Sequence, residues 1–259
     1  MKKPITMFGV GMHPWTMTET VAGIASRLDS GTFTQHVVVN VAKLVNMQKD
    51  RQLLASVQEC DIVNIDGAGV VLAGRLLGFD IPERVAGIDL FMRLLQLAEE
   101  RGEKVFFLGA AEQVVEKAVA EIRTLYPDLK IAGWHPGYFW SQERLVVQKI
   151  SGSGAAMLFV ALSSPKKENF ISRWKEDLHV KFVMGVGGSF DVVAGKVERA
   201  PKWMQKAGME WLYRLLQEPG RMWRRYLYTN SLFLWMLIKG TVSDRFKTYG
   251  WIEDCSNPE

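Results

Sequence analysis

Short apolar runs alternate with amphipathic stretches from residue 36 to residue 190, and this alternation restricts the fold more than any other feature of the sequence. The runs contain four to seven residues and are rich in Val, Ile and Phe, as buried parallel strands are. They cover residues 36–41, 62–65, 104–109, 130–134, 156–162 and 181–185. The pattern predicts an α/β fold in which a Rossmann-like, mostly parallel sheet is flanked by helices.

The stretches between the runs have the spacing of amphipathic helices, as in residues 88–101, 111–125 and 141–150. The alternation ends near residue 195. We therefore expect a Rossmann-like core over residues 1–195 and a helical appendage over residues 196–259.

The excess positive charge of the chain lies in this predicted appendage. Residues 1–195 carry 21 basic and 21 acidic side chains, whereas residues 196–249 carry 11 basic and 4 acidic. Residues 203–217 and 221–239 predict two helices in which Trp and Tyr are interleaved with the basic charge. Such helices suit an anionic membrane surface. A solvated helix packed on the core and a nucleic-acid surface are the alternatives.

Two observations favour the membrane over nucleic acid. The apolar run 231–238 would make no favourable contact with the phosphates of a nucleic acid, and no recognised nucleic-acid-binding module is present. Extended upstream to Tyr226, the run reaches 13 residues, which is short of the roughly 20 that span a bilayer. We therefore expect a helix that lies on an anionic membrane surface without crossing it.

Polar and glycine residues follow the predicted strands, where ligands of parallel sheets bind. These residues are Asn40, Lys43, Asp66, Gly109, Tyr138, Lys167, Gly187, Gly188 and Asp191. Glycine allows a backbone to approach a phosphate closely, and helix N-termini offer free N–H groups to anions. The core is therefore predicted to bind a nucleotide or a phosphate group.

Several of the charged residues suggest a specific role in chemistry or binding. Asp66 ends an apolar run, where its carboxylate is placed to act as a general base or, alternatively, to cap the next helix. Arg84 and Lys43 are candidates to hold a carboxylate or a diphosphate, or are simple surface charges. Arg214, Arg221, Arg224 and Arg225 are predicted to lie near one helical stripe, because their separations approach whole turns.

Several site classes are poorly supported. The glycines of residues 185–191 do not match G-x-G-x-x-G, and there is no Walker lysine. The sequence has no Cys-x-x-Cys, no Asp-x-Asp and no His pair at helical spacing, so we expect neither a metal nor a cofactor. Cys60 and Cys255 are too far apart in the sequence to suggest a disulfide framework.

Seven sequence blocks in order resemble the WecG/TagA/CpsF family of glycosyltransferases, over about residues 8–234. The last block, residues 194–203, is the most distinctive. The blocks comprise Asn40, residues 66–73, residues 83–90, residues 137–139, residues 164–168, residues 185–191 and residues 194–203, which run on into residues 212–215 and Arg221.

The resemblance implies an inverting transferase of bacterial surface polysaccharide synthesis. It would move a sugar from a UDP-sugar to an undecaprenyl-diphosphate-linked saccharide, peripherally at the cytoplasmic face of the membrane and without a metal. Asp66 would deprotonate the acceptor hydroxyl, and Asn40 would line the sugar pocket. Diphosphate charge would be held by Arg84, Arg214, Arg221 and Arg224. The nucleotide would be faced by Tyr138 and by the loop from Gly187 to Asp191.

Three positions depart from the family pattern: Val38 where Thr is frequent, Ser163 where Gly is frequent, and Lys167 where Gln is frequent. Because Val38 and Lys167 differ from the family pattern, the resemblance does not identify the donor sugar. Two further hypotheses remain. The sheet could serve a non-catalytic regulatory or scaffold protein that binds a nucleotide, or the C-terminal helices could complete the interface of a homo-oligomer.

Overall fold

The computed structural model describes residues 1–242, without the side chains of Arg221 and of residues 240–242. Cys255 and the end of the predicted appendage lie outside the described residues. The strands are β1 (Ile5–Met7), β2 (Val10–Met12), β3 (Thr34–Val39), β4 (Ile62–Ile65), β5 (Val105–Gly109), β6 (Ile131–His135), β7 (Met157–Ala161) and β8 (Phe182–Gly185). The helices are α1 (Met17–Asp29), α2 (Val41–Met47), α3 (Arg51–Gln58), α4 (Ala68–Leu76), α5 (Gly87–Arg101), α6 (Glu112–Leu125), α7 (Glu143–Gly152), α8 (Lys166–Trp174), α9 (Ser189–Val193), α10 (Lys202–Lys206), α11 (Glu210–Gln217) and α12 (Pro219–Val242).

Strands β3 to β8 form one six-stranded sheet in the order β4-β3-β8-β7-β5-β6. Every neighbouring pair in it is parallel, which confirms the predicted α/β fold. Each of the six predicted runs overlaps one of these strands. The antiparallel hairpin β1–β2, which the sequence did not predict, lies beside β4, where the His13 backbone N–H donates to the Val63 carbonyl at 2.7 Å.

Two helix layers cover the sheet. Contacts join α1, α5, α6 and α9 on one face, and α2, α3 and α8 on the other. The chain therefore leaves β3 toward one face and leaves the neighbouring strand β8 toward the other. Loops that diverge in this way leave a crevice beyond the carboxyl ends of the strands, which is the usual ligand position in such sheets.

The core on the α2 side extends into the predicted appendage. Phe233 and Met236 of α12 are buried in the same apolar cluster as Leu44 and Val45 of α2. The Phe233 ring packs against the ring of Phe8 with 5.5 Å between centroids. One face of α12 is therefore held against the core by apolar burial.

The first predicted appendage helix, residues 203–217, is two helices in the structure. Gly208 adopts a φ of 72° between α10 and α11, a left-handed conformation that glycine adopts without strain. A Cβ on Gly208 would come within 2.7 Å of the Ala68 Cβ, so the break brings α11 close to the start of α4. Among the described residues, no helix is both long and apolar enough to cross a membrane.

Candidate active site

A cavity of about 360 Å³ lies between the carboxyl ends of β3 and β4 and the two helices α11 and α12. Asn40 and Asp66 line its sheet side, Arg84 lines one wall, and Arg214 and Arg225 come from the appendage. The structure therefore brings four of the predicted site residues together with Arg225. Most of the remaining predicted site residues lie elsewhere.

Asp66 directly follows β4 and is fixed by backbone contacts. Its N–H donates to the Val39 carbonyl at 2.9 Å, and its carboxylate accepts the N–H of Gly87, the first residue of α5. Burial raises the pKa of Asp66 to about 6, although Arg84, the Gly87 N–H and Arg214 all favour the charged form. At pH 7 the carboxylate is therefore mainly ionised and able to accept a proton.

Asn40 has two functions in the structure. It is the N-cap of α2, because its Oδ1 accepts the Lys43 backbone N–H at 3.0 Å, and its side chain also lines the cavity. Val38 lies below it on β3: a Cβ placed on Gly87 would stand 3.3 Å from the Val38 Cγ2. The methyl groups of Val38 thus face the helix start that holds Asp66, where a Thr would offer a hydroxyl.

Arg84 is paired with a residue that the sequence did not single out. Its Nη1 donates to the Glu210 Oε2 at 3.1 Å, and Glu210 is the first residue of α11. The other Glu210 oxygen lies 3.6 Å from the Nε of Arg199, whose two terminal nitrogens bind both oxygens of Asp89 at 2.6 and 2.7 Å. An Arg–Glu–Arg–Asp chain of charges therefore connects the cavity to α5. No local sequence pattern predicts this row of charged side chains, because its four members come from three separate segments.

The appendage arginines separate onto two faces of α12. Arg225 lines the cavity, whereas Arg224 stacks over the Trp223 ring at 5.3 Å on the outer face. The predicted common stripe counted helical turns across the boundary between the two predicted helices, and in the structure Glu218 separates α11 from α12. Neighbouring residues of a helix also point about 100° apart. The structure therefore does not place Arg224 in the cavity, and the side chain of Arg221 lies outside the described residues.

The structure does not bring Lys43 and Lys167 to the cavity either. The Lys43 Nζ lies 2.8 Å from the Glu168 Oε1, and the Lys167 Nζ lies 3.4 Å from the same oxygen. All three side chains are buried. A Cβ on Gly185 would collide with the stem of Lys167, so this glycine makes room for the buried lysine. Both lysines were predicted to bind substrate, and they instead share a carboxylate inside the protein.

This buried charge cluster shifts the pKa of both partners of the Lys167–Glu168 pair. Burial raises the pKa of Glu168, but the ammonium groups of Lys43 and Lys167 outweigh it and hold the value at about 2. Burial, together with the Lys43 charge, lowers the pKa of Lys167 to about 8. The carboxylate is thus strongly stabilised in its ionised form.

We expect Glu168→Gln to lower the free energy of unfolding at pH 7 by about 3 kcal/mol, because it leaves two ammonium groups buried without a counter-charge. The folded-state pKa lies below the unfolded one, so this stabilisation is complete above about pH 4.5 and is lost as the pH falls toward 2. Urea unfolding of both proteins across this range measures the difference. Glu176→Gln removes an exposed carboxylate nearby and is the matched control; equal losses in the two variants would contradict the assignment.

The predicted nucleotide-binding residues lie at or after the carboxyl ends of β5, β6 and β8. Gly109 ends β5 with a φ of 122°, and a Cβ there would collide with the Ala161 carbonyl. Tyr138 follows β6 and is 82% exposed. Gly187 and Gly188 follow β8, and a Cβ on either would meet open space; Asp191 pairs with Lys196 at 3.3 Å. These residues share the carboxyl edge of the sheet with Asp66 but do not line the 360 Å³ cavity.

No cluster of three or more His, Cys, Asp or Glu side chains with metal-binding geometry occurs within residues 1–242. Cys60 is buried, and its Sγ donates to the Ser56 carbonyl. His36 is buried against the Asn64 Oδ1 at 2.9 Å, and burial lowers its pKa to about 4. These side chains belong to the core.

The family model described as Glycosyl transferase WecG/TagA/CpsF family matches residues 5–247. Two similar proteins share one name, N-acetylglucosaminyldiphosphoundecaprenol N-acetyl-beta-D-mannosaminyltransferase. The chain is 40% identical over 173 residues to the protein of Bacillus spizizenii, covering 67% of this chain and 66% of the relative. It is 39% identical over 180 residues to the protein of Bacillus subtilis, covering 69% of each. The aligned segments thus span about two thirds of both relatives.

Proposed function

The chain belongs to the WecG/TagA/CpsF family of glycosyltransferases, and from this premise we propose that it transfers a sugar from a UDP-sugar to an undecaprenyl-diphosphate-linked saccharide. The observation that carries the proposal is the cavity itself. It places a carboxylate with a raised pKa, Asp66, among the three cations of Arg84, Arg214 and Arg225. Transfer of a sugar from a diphosphate to a hydroxyl requires a base that takes the hydroxyl proton and cations that stabilise the departing diphosphate.

The reaction is a single displacement at the anomeric carbon. Asp66 takes the proton of the acceptor hydroxyl as its oxygen forms a bond to that carbon. The bond from the carbon to the UDP oxygen breaks, and its electron pair leaves with the diphosphate. Because the sugar of a UDP-sugar is usually α-linked, one displacement inverts it to the β configuration, which is the configuration in the names of both relatives.

Fixed cations can stabilise the negative charges that are present in this reaction. The departing UDP gains negative charge, and the acceptor has a diphosphate of its own. Guanidinium groups bind phosphate oxygens through two parallel hydrogen bonds. We assign Arg84, Arg214 and Arg225 to these diphosphates, so that the chemistry needs no metal.

The nucleotide is assigned to the loops that follow β5, β6 and β8. Gly187 and Gly188 leave the backbone accessible there, Gly109 packs against the Ala161 carbonyl at the end of β5, and Tyr138 presents an exposed ring for stacking. Asp191 lies in the first turn of α9 beside Gly188. The donor would then extend from these loops along the carboxyl edge of the sheet toward Asn40 and Asp66.

The outer face of α12 is suited to a membrane surface. Trp223, Leu227 and Trp235 are each about half exposed on it, and they line a shallow apolar groove with Arg224 at one end. Lys239 lies over the Trp235 ring at 4.9 Å. Apolar and aromatic side chains bordered by cations bind the headgroup region of anionic bilayers. We therefore propose peripheral attachment to the cytoplasmic face of the membrane, where the lipid-linked acceptor is located.

Leu227 and Leu234 are more than half exposed and lie seven residues apart on α12, so they share one face of the helix. We expect Leu227→Ser/Leu234→Ser to weaken binding to vesicles that contain phosphatidylglycerol by roughly tenfold or more, because each leucine would bury apolar surface in the interface. Flotation of the full chain with vesicles measures the bound fraction. Leu125→Ser/Leu145→Ser makes the same chemical change at positions of similar exposure on α6 and α7. If both double variants float equally well, the outer face of α12 is not the docking surface.

Transfer is tested with N-acetylglucosaminyl diphosphoundecaprenol in vesicles, a panel of UDP-sugars that includes UDP-N-acetylmannosamine, and mass spectrometry of the lipid. The expected result is a lipid heavier by one sugar, with one UDP released for each sugar added. Binding of UDP-sugars without turnover across the panel would instead support a regulatory or scaffold protein.

A further inference from the structure

Glu210 occupies a junction between the appendage and the core. It is 9% exposed, and its carboxylate lies between two arginines of different segments. Its Oε2 accepts a hydrogen bond from the Arg84 Nη1 at 3.1 Å, and its Oε1 lies 3.6 Å from the Arg199 Nε. A buried carboxylate in this setting is held in place by charge from both sides.

On the Arg199 side of the junction, the guanidinium is held by a bidentate ion pair. Both oxygens of Asp89 accept hydrogen bonds from Arg199, at 2.6 and 2.7 Å, in the bidentate geometry of the strongest ion pairs. Asp89 is in the first turn of α5, the same helix whose Gly87 N–H donates to Asp66. Glu210 is therefore positioned against the helix that also holds the proposed base.

The Arg84 side is left partly free. Glu210 contacts one terminal nitrogen of the guanidinium, and Arg84 also lines the cavity. A guanidinium has five N–H donors, so one contact with a carboxylate restrains its orientation and leaves donors for a ligand. A pair of phosphate groups matches the remaining donors and the positive charge of Arg214 and Arg225 beside them.

We propose that Glu210 is a positioning residue for transfer, which directs the Arg84 guanidinium toward the substrate diphosphate and sets the charge around Asp66. This inference rests on the proposed function. The diphosphate belongs either to the UDP-sugar or to the lipid acceptor, and separate KM values for the two substrates distinguish them.

The charge of Glu210 also acts on the proposed base. The groups that face Asp66 are Arg84 from the loop before α5, the Gly87 N–H of α5, and Glu210 and Arg214 of α11. Burial raises the pKa of Asp66 first, and Glu210 is the carboxylate that raises it further, against the effect of the two arginines. Removing that charge should therefore lower the pKa of Asp66, while a purely structural contact should leave it unchanged.

The test compares Glu210→Gln, which keeps the shape and removes the charge, with Glu210→Asp, which keeps the charge and shortens the reach. For Glu210→Gln we expect the acid limb of the kcat/KM profile to move to lower pH by roughly half a unit. We also expect the KM of one diphosphate substrate to rise about tenfold. For Glu210→Asp we expect that KM to rise while the acid limb stays in place.

Glu198→Gln is the matched control, because this exposed carboxylate of the preceding segment bonds to Tyr213 rather than to Arg84. The position of a pH limb does not depend on how much of a variant is folded. If Glu210→Gln does not fold, an unchanged KM in Glu210→Asp overturns the inference. If the wild type is active and Glu210→Gln matches the control in both its acid limb and its KM, this inference alone is contradicted. If the wild type is inactive, the proposed function is contradicted as well.

Discussion

Asp66→Asn is expected to lower the rate of sugar transfer by about 10²- to 10⁴-fold, which is the usual contribution of a positioned general base. The amide keeps the shape of the carboxylate and its contact with the start of α5, but it cannot accept the proton of the acceptor hydroxyl. Steady-state release of UDP in the presence of the lipid acceptor measures the loss. Binding of UDP should change little, because the nucleotide loops lie on other strands.

The pH dependence of the wild type provides a second readout of the same group. The base must be ionised, and the pKa of Asp66 is about 6. The value of kcat/KM should therefore rise as the pH passes through about 6, and this limb should be absent from the residual activity of Asp66→Asn. Asp80→Asn, which changes an aspartate in the loop before Arg84, is the matched control. Transfer by Asp66→Asn at a rate close to that of this control would exclude Asp66 as the base.

The double variant Arg214→Gln/Arg225→Gln is expected to lower kcat/KM by about 10²-fold or more. Each arginine lines the cavity, and a hydrogen bond to a charged group contributes about 1.5–3 kcal/mol. The measurement uses a short-chain acceptor diphosphate in solution, so that membrane binding does not limit the rate.

Arg224→Gln is a close control for this variant, because it changes a residue that is adjacent to Arg225 but lies on the outer face of α12. Arg224 stacks on Trp223 and lines the outer groove, so its loss should leave the reaction in solution nearly unchanged and should weaken vesicle binding. If Arg224→Gln loses as much activity in solution as the double variant, the separation of the two faces of α12 is wrong.

Much of the fold could be predicted from the sequence because parallel strands buried on both faces have a strong pattern. All six runs correspond to strands of the sheet, and Asn40 and Asp66 were predicted at its carboxyl edge because Asn40 lies near the end of one run and Asp66 directly follows another. The hairpin β1–β2 was missed, because strands of three residues are too short to show a period.

The division of the appendage arginines could not be predicted in the same way. Arg224 and Arg225 are adjacent and chemically identical, and only the packing of Phe233 and Met236 onto the core determines which faces the cavity. The break at Glu218 also changes the angular relation of α11 to α12, so spacing along the sequence does not predict a shared stripe.

Lys167 and Glu210 show a second limit. From the sequence, Lys167 is a cation near the site, but in the fold its ammonium is buried with Lys43 against Glu168. Glu210 is a carboxylate among basic residues and carries no motif that is recognisable at that position. Its contacts with Arg84 and Arg199 depend on long-range packing, which no local pattern encodes.

The most direct test of the proposed site is a structure of the Asp66→Asn protein with UDP and a soluble analogue of the lipid-diphosphate acceptor. The quantity to measure is the distance from the acceptor hydroxyl oxygen to the side chain of residue 66. We predict about 2.6–3.2 Å, the reach of a general base, with the diphosphate groups contacting Arg84, Arg214 or Arg225. The proposed site would be contradicted if the acceptor bound outside the cavity that Asp66 lines and its hydroxyl were held by another carboxylate.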